Sequence, residues 1–274
     1  MTVGIDIGST TTKAIVIQSD KILYRLKTKS IDPVTSATGI IGKLTQENDI
    51  DIGLINKIII TGVGSSKINK AIFNIPTEKI DEITAIGNGG LFLLGKNKIL
   101  ITNIGTGTVF IEATKRKITH IGGTGVGGGT ITGLSKALLH TSDFNNIMNI
   151  ANYGNLKEVD LLVEDIIDTK ISFLSSDATA SNFGKMLDTA NDHDKAKGIL
   201  NLVYQVIGML SVFIAQGRNY SSVVITGNGS NNLVGQQVLG EISKMYKIDF
   251  EYPNDAEYVT AVGAAVTKCN QKYI

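Results

Sequence analysis

A pattern of three short apolar runs, joined by a glycine turn and then a polar turn, occurs twice in this chain. The first copy reads GIDIGSTTTKAIVIQSDKILY from Gly4, and the second reads ITNIGTGTVFIEATKRKITHI from Ile101. Aligning Ile7 with Ile104 superposes the glycine turn, the second run, the polar turn and the third run. Runs of this length between turn residues are typical of β-strands. The repeat therefore indicates an internal duplication, with chance resemblance between two β-meanders as the alternative.

The rest of the chain alternates strand-like and helix-like segments, which predicts layers of helices and sheets. A chain of 274 residues is long enough for about two domains. We place them at 1–96 and 97–274, touching along a cleft, and the closing helix could pack back on the first. The main predicted strands are 2–7, 13–18, 22–27, 57–61, 98–101, 109–113, 222–226 and 248–252, and the main predicted helices are 33–46, 85–94, 131–140, 195–219, 232–246 and 256–268.

Two glycine loops lie in and after the second copy. The first, NIGTGT at 103–108, separates two apolar runs, and the second, GGTGVGGGT at 122–130, precedes a helix-like segment. Glycine lets the backbone approach a ligand closely, and the free N–H groups at a helix start attract anions. Together the loops predict a polyphosphate cradle, for which ordinary hairpin turns are the alternative.

Charge and cysteine content narrow the class of function. Lys plus Arg number 26 against 25 Asp plus Glu, so net charge gives no reason to expect nucleic acid or an anionic membrane as partner. The single cysteine, Cys269, excludes an internal disulfide and a Cys-rich metal site made by one chain. The first residues lack a signal-peptide pattern, and we expect no stretch that approaches the ~20 apolar residues of a membrane span. We expect a cytoplasmic protein that acts on a small molecule.

Three motifs, in order along the chain, are similar to those of the actin, sugar-kinase and heat-shock-ATPase superfamily. DIGSTTTK from Asp6 and NIGTGT from Asn103 resemble its two phosphate motifs, and VVITGNG from Val223 resembles its adenosine motif. Within the superfamily, the chain most resembles the type II pantothenate kinases, through the loop at 122–130, the segment DATASNFG from Asp177 and the compact length. The resemblance runs almost end to end. It implies a duplicated actin-like (ribonuclease H-like) α/β fold, ATP held between two lobes, transfer of the γ-phosphate to the primary hydroxyl of pantothenate, and a homodimer.

The resemblance also assigns residues to ATP and Mg²⁺. Asp6 is expected to engage the hydrated magnesium ion and Lys13 to approach a phosphate, whereas a turn-forming aspartate and a solvated lysine are the alternatives. Phe144 is expected to stack on adenine, or equally to belong to the core. The predicted ATP-binding residues are Asp6, Ile7, Gly8, Ser9, Thr10, Thr11, Thr12, Lys13, Thr106, Gly128, Gly129, Thr130, Ile131, Thr132, Phe144, Gly227 and Asn228.

Glu82 is the candidate general base, because its position resembles that of the family's catalytic glutamate. A carboxylate partly buried between two lobes can have its pKa raised toward the working pH, which suits it to accept a hydroxyl proton. Asp81 is the competing candidate. On the residues alone, either is a solvated acid near a helix start.

His120 and Asp177 are the predicted acceptor-binding residues, and His120 departs from the family. The family carries an arginine at this position, and arginine can hold a carboxylate through two parallel hydrogen bonds. Histidine offers at most one donor in that direction. The substitution predicts either weaker binding of pantothenate or an acceptor without that carboxylate, such as pantetheine.

Rival readings come from other classes of protein. The opening GIDIGSTTTK also resembles the ATPase activators of 2-hydroxyacyl-CoA dehydratases, but those need cluster cysteines in the middle of the chain. A sugar or amino-sugar kinase on the same scaffold is a second alternative, and a non-catalytic nucleotide-binding regulator is a third.

Overall fold

The computed structural model describes residues 1–167 and 175–267. The strands are β1 (Thr2–Ile7), β2 (Thr11–Gln18), β3 (Lys21–Lys29), β4 (Lys57–Thr61), β5 (Thr77–Lys79), β6 (Lys98–Ile104), β7 (Thr108–Thr114), β8 (Ile118–Thr124), β9 (Leu161–Leu162), β10 (Thr179–Ser181), β11 (Ser222–Thr226) and β12 (Asp249–Glu251). The helices are α1 (Pro33–Glu47), α2 (Glu82–Leu94), α3 (Gly128–Leu139), α4 (Phe144–Ala151), α5 (Asp192–Gly217), α6 (Leu233–Tyr246) and α7 (Val259–Val266).

Two five-stranded sheets share one topology. The first has the strand order β3-β2-β1-β4-β5, and the second has the order β8-β7-β6-β11-β12. In each sheet an antiparallel three-stranded meander continues into two parallel strands. The sequence repeat predicted only the meanders, and the structure extends the duplication to β4 with β11 and to β5 with β12. The predicted duplicated α/β fold is therefore confirmed.

Side-chain caps explain where several helices begin. Asp81 accepts a hydrogen bond from the Thr84 N–H group at 2.8 Å, so α2 begins at Glu82, three residues before the predicted start. Asp32 caps α1 in the same way, and Pro33 occupies its first position, where a missing N–H group costs nothing. Local capping chemistry thus fixes helix starts that hydrophobic periodicity alone leaves open.

Several predicted boundaries need correction: β6 extends three residues further, to Ile104, and α5 begins at Asp192 and ends at Gly217. Strand β8 extends to Thr124, so the first three residues of the predicted 122–130 loop are strand, and α3 begins at Gly128 instead of Ile131. The predicted closing helix is divided into a 3-10 turn, Ala256–Tyr258, and α7. Its predicted end at Lys268, like Cys269, lies outside the described residues.

The sheets and helices form a stack of layers. Helix α1 packs on the outer face of the first sheet, where Ile40 and Ile5 belong to one apolar cluster. Helices α5 and α6 cover the outer face of the second sheet, where Val203 and Ile104 belong to another. On the inner faces, α7 packs against β1, β2 and β4, whereas α2 packs against β6, β7 and β8. The order through the molecule is therefore first sheet, α7, α2, second sheet.

The two inner helices touch through their backbones. A Cβ atom added to Gly263 would overlap the carbonyl oxygen of Ala85, and one added to Gly89 would overlap the carbonyl oxygen of Val259. Contact this close is open only to glycine, because any side chain would push the helices apart. The same pair of contacts occurs in both directions, as expected for duplicated halves.

Helix α5 is the one described helix that is long and apolar enough to cross a membrane by composition alone. This differs from the expectation that no stretch approaches that length. However, 61% of its most apolar window is buried inside the protein. Residues such as Ile199, Val203 and Ile207 belong to the core of the second half. Packing thus accounts for the composition.

Candidate active site

A cleft of ≈ 550 Å³ lies where the carboxyl ends of β1, β4, β6 and β11 converge between the two sheets. The turn after β1 and the turn after β6 face each other across it. Ser9 Oγ and Thr106 Oγ1, which are equivalent in the duplication, lie 3.2 Å apart. The two predicted phosphate loops are therefore in direct contact.

Ser30 supports the first phosphate loop, which is the turn after β1. Its hydroxyl donates to the carbonyl oxygen of Gly8 at 2.7 Å and lies 2.8 Å from Thr12 Oγ1, while its N–H group donates to the carbonyl oxygen of Thr10 at 3.0 Å. These bonds hold both ends of the turn after β1. Sequence reasoning missed Ser30 because it lies at the end of β3, some 20 residues after the turn that it supports.

The start of α3 supports the second phosphate loop, which is the turn at 103–108 after β6. The N–H group of Gly128 donates to the carbonyl oxygen of Gly105 at 2.9 Å, and that of Gly129 donates to the carbonyl oxygen of Thr106 at 2.8 Å. We expected these helix N–H groups to be free for an anion, and that expectation is wrong for the first two. They instead stabilise the loop that faces the cleft.

A second pair of equivalent turns follows β4 and β11. Gly62 and Gly227 both have φ +83, a left-handed conformation that favours glycine. A Cβ at Gly62 would lie 2.5 Å from Asp6 Oδ1, and one at Gly227 would lie 2.9 Å from the side-chain oxygen of Asn103. The sequence indicated a Gly-rich loop at 62–66 as well, but only Gly227 was predicted to belong to the site, and Gly62 was not. The repeat ITGVGS, from Ile60, against ITGNGS, from Ile225, is the signal that could have found it.

Three ionisable groups share the floor of the cleft. Asp6 and Lys13 are cross-strand neighbours on β1 and β2. Burial raises the pKa of Asp6 to about 6, with the positive charge of Lys13 opposing the rise and the negative charge of Glu82 adding to it. Burial lowers the pKa of Lys13, which the Asp6 charge opposes. Partial desolvation also raises the pKa of Glu82, although its side chain stays open to solvent in the cleft.

His120 reaches the cleft from β8. It pairs with Ile111 at a register shift in the β7–β8 ladder, beyond which Gly122 pairs with Phe110. Bulges of this kind commonly redirect side chains beside functional sites. His120 is exposed and lines the same cleft as Glu82.

Eleven of the predicted residues line this cleft, contributed by both halves of the chain. They are Asp6, Gly8, Ser9, Thr10, Thr11, Lys13, Glu82, Thr106, His120, Gly227 and Asn228. Thr260, from the start of α7, and Val63 also line it and were not predicted. Thr260 lies in an apolar segment with no local motif, so only the packing of α7 between the sheets reveals it.

The remaining predicted residues lie behind or away from the cleft. Ile7 and Ile131 are buried in the two cores, and Phe144 packs against the second core at the start of α4. Thr12 lies behind the first phosphate loop, the Thr130 hydroxyl donates to Gly125 just before α3, and the Thr132 hydroxyl donates to Gly128 within α3. Asp177 is exposed beside a separate cavity of ≈ 570 Å³ next to α5 and α6, where it lies 3.9 Å from Lys157 Nζ. The structure therefore does not bring Asp177 to the other predicted acceptor residue, His120.

The carboxylates of the cleft suit one kind of metal site. Within 1–167 and 175–267, no group of three or more His, Cys, Asp or Glu side chains could hold a metal ion by itself. Mg²⁺ bound to a polyphosphate needs only one or two carboxylates, because phosphate and water supply the other oxygens. Asp6, beside both loops and with Glu82 nearby, fits that requirement.

Sequence comparisons relate the chain to one family over most of its length. The family model named Fumble matches residues 98–266. The type II pantothenate kinase of Bacillus anthracis is 30% identical over 287 aligned residues, covering 99% of both chains. A type II pantothenate kinase of Bacillus cereus is 31% identical, covering 96% of this chain and 97% of the relative.

Structural comparisons agree on the fold. The activator of 2-hydroxyisocaproyl-CoA dehydratase from Clostridium difficile, solved with ADPNP, superposes with a TM-score of 0.66 and 19% identity, covering 96% of this chain and 92% of that chain. A ROK family glucokinase from Streptomyces griseus, solved with glucose and AMPPNP, superposes with a TM-score of 0.60 and 12% identity, covering 96% and 97%. At such identities the likeness extends to the fold alone.

We predict that Gly128→Val weakens nucleotide binding about tenfold, equivalent to about 1.4 kcal/mol. A Cβ atom at Gly128 would lie 3.0 Å from the carbonyl oxygen of Gly105 and would displace the phosphate loop at 103–108. Gly133→Val on the same helix is the matched control, since nothing lies within 4 Å of its added Cβ. Calorimetric titration with a nucleotide measures the effect, and equal affinities for the two variants would contradict it.

Proposed function

The chain belongs to the type II pantothenate kinase family, and we propose that it transfers the γ-phosphate of ATP to the primary hydroxyl of pantothenate, the first step of coenzyme A biosynthesis. Similarity to these kinases over nearly the whole chain is the observation that carries the proposal. The contact between the Ser9 and Thr106 loops supports it, because phosphoryl transfer depends chiefly on positioning and on stabilising charge around the phosphates.

In this proposal the two loops hold the β- and γ-phosphates, and the adenosine turn at Gly227 and Asn228 lies next to the ribose. Lys13 supplies positive charge at the floor of the cleft. Asp6 would hold a hydrated Mg²⁺, which supplies charge neutralisation on the phosphates when it is bound. The raised pKa of Asp6 supports this role, because burial outweighs the neighbouring Lys13 charge and a further cation would stabilise the ionised carboxylate.

Glu82 is the proposed general base. The acceptor hydroxyl oxygen attacks the γ-phosphorus, the bond from that phosphorus to the β–γ bridging oxygen breaks, and Glu82 takes the hydroxyl proton. Its position at the first turn of α2 favours the ionised form through the helix dipole, while partial desolvation makes the carboxylate a stronger base. Asp81 is tied to the Thr84 N–H group as the helix cap, which favours Glu82 over Asp81 for this role.

The acceptor side of the cleft leaves two candidate substrates. His120 faces the cleft where the family carries an arginine, so the carboxylate of pantothenate loses a bidentate partner. This favours pantetheine, which has no such carboxylate, as the second candidate.

A homodimer is also proposed, with α5 as its interface. Leu202, Val206, Leu210 and Phe213 are spaced by three or four residues and lie on one partly exposed stripe of this helix. Phe213 is 59% exposed. A continuous apolar stripe on a surface helix suits packing against a second copy of the same helix.

Mass spectrometry should detect phosphorylated pantothenate when the protein is incubated with ATP and Mg²⁺. The variant Glu82→Gln should lower kcat by roughly 10²-fold and leave the ATP affinity nearly unchanged, because it removes the base and no nucleotide contact. Below about pH 6 the native kcat/KM should fall, because Asp6 becomes protonated, and the raised pKa of Glu82 acts in the same direction. Asp81→Asn is the matched control, since asparagine keeps the cap. Near-normal kcat in Glu82→Gln would remove Glu82 from the mechanism, and phosphorylation of pantetheine or a hexose alone would redirect the substrate.

We predict that His120→Arg raises kcat/KM for pantothenate, because an imidazole offers at most one donor to the carboxylate whereas a guanidinium offers a charged fork. The gain should be about tenfold and confined to pantothenate, with pantetheine unaffected. Thr119→Arg adds the same charge to the opposite face of β8 and serves as control. Unchanged kinetics at every pH, or a loss of strong existing activity, would mean that His120 does not replace the arginine.

The native protein should elute from size exclusion with light-scattering mass at twice the 29.2 kDa chain mass, and Phe213→Asp should yield the single-chain mass. A charge placed in the centre of an apolar interface is left without water or a partner. Phe73→Asp replaces another half-exposed phenylalanine, 51% accessible, in the first half of the chain. If both variants keep the native mass, α5 is not the interface.

A further inference from the structure

Residues 255–257, here called the bridge segment, connect the first sheet to the adenosine turn. On one side three cations of β2 and β3 bind this segment. Arg25 forms a two-point ion pair with Asp255, with Nε to Oδ1 at 2.7 Å and Nη2 to Oδ2 at 2.9 Å. Lys27 Nζ lies 2.7 Å from a carboxylate oxygen of Glu257, and the buried Lys13 donates to the backbone carbonyl oxygen of Glu257 at 2.6 Å.

On its other side the bridge segment binds the adenosine turn. The carbonyl oxygen of Ala256 accepts a hydrogen bond from the Gly227 N–H group at 3.0 Å. Gly227 has φ +83 and begins the turn that lines the cleft. Arg25 is therefore connected to the adenosine turn through only two intervening residues, Asp255 and Ala256.

The backbone at this point is restrained. Asp255 adopts φ +62, a left-handed conformation that is uncommon outside glycine and is tolerated by aspartate. Its carboxylate is mostly sheltered, with 19% exposure against 47% for Arg25. An ion pair with two parallel hydrogen bonds to a sheltered carboxylate constrains geometry more than a single-point surface pair does. The pair thus helps to hold the bridge segment in the conformation that Gly227 needs.

We propose that Arg25 and Lys27 are positioning residues for the nucleotide, although neither lines the cleft. Through Asp255 and Glu257 they hold the bridge segment, which in turn holds the adenosine turn in place opposite the first phosphate loop. The inference rests on the proposed ATP-dependent function. Its consequence is that breaking these ion pairs weakens nucleotide binding while leaving acceptor binding and the proton transfer at Glu82 unaffected.

A double-mutant cycle tests this inference, with Arg25→Met, Asp255→Asn and the double variant. Asparagine removes the charge of Asp255 and still tolerates its left-handed backbone. Calorimetry with ATP and Mg²⁺ should give three- to tenfold weaker binding for each single variant and no further loss in the double variant, because one interaction is removed in all three. KM for ATP should rise in step, while KM for pantothenate and kcat stay near the native values. A second cycle, Lys27→Met with Glu257→Gln, should behave alike.

Lys29→Met is the matched control. Lys29 lies on the same strand, makes no ion pair among the described residues, and pairs with Thr11, nearer to the phosphate loop than Arg25 is. If loss of positive charge alone weakened ATP binding, Lys29→Met would cost at least as much as Arg25→Met. Equal losses in the two variants, additive losses within the cycle, or unchanged affinity would each overturn the inference. Failure of the native protein to bind ATP would overturn the proposed function as well, whereas normal ATP binding without turnover would count against the kinase activity alone.

Discussion

The backbone contact between α2 and α7 is the constraint on which the arrangement of this molecule depends. Gly89 and Gly263 leave no room for a Cβ atom, so the two inner helices approach as closely as polypeptides can. Each helix is fixed to a different sheet. The distance between the sheets, and with it the width of the cleft, therefore follows from two glycines that lie outside the site. Glu82 depends on the same contact, because it occupies the first turn of α2.

The duplication produced two equivalent halves, and the proposed chemistry depends on the few cleft residues that differ between them. Asp6 in the first half corresponds to Asn103 in the second, so only one of these two equivalent positions carries a carboxylate. The first phosphate loop is supported by the hydroxyl of Ser30, whereas the second is supported by the N–H groups that begin α3. Similar turns are thus stabilised by unrelated means, which indicates that the shape of the turn matters more than the particular support.

Sequence reasoning reached the strands of the duplicated meanders and most of the cleft-lining residues, because both depend on local patterns. Strands β1, β4 and β11 have the predicted ends. Gly62 was not predicted because the spacing of the repeat changes along the chain. Equivalent residues are 97 positions apart at Ile7 and Ile104 but 165 apart at Gly62 and Gly227, so no single alignment covers both pairs. The use of the α3 donors was unpredictable for another reason. A sequence shows that a helix start has free N–H groups, but their acceptors, at Gly105 and Thr106, are fixed only by tertiary packing.

The near equivalence of the two halves has a consequence for ligand orientation. Because the cleft lies between two equivalent halves, an elongated ligand could lie across it in either of two opposite directions. The equivalent turns at Gly62 and Gly227 would accept either end of it. Only the positions at which the two halves differ can break this degeneracy. Asp6 and Lys13 carry charges on the first sheet, whereas Asn103, the equivalent of Asp6, is neutral, and Asn228 replaces Val63 in the second of the matching turns. The few residues that diverged after duplication therefore determine in which of the two directions a ligand would lie. The scaffold that the two halves share favours neither direction.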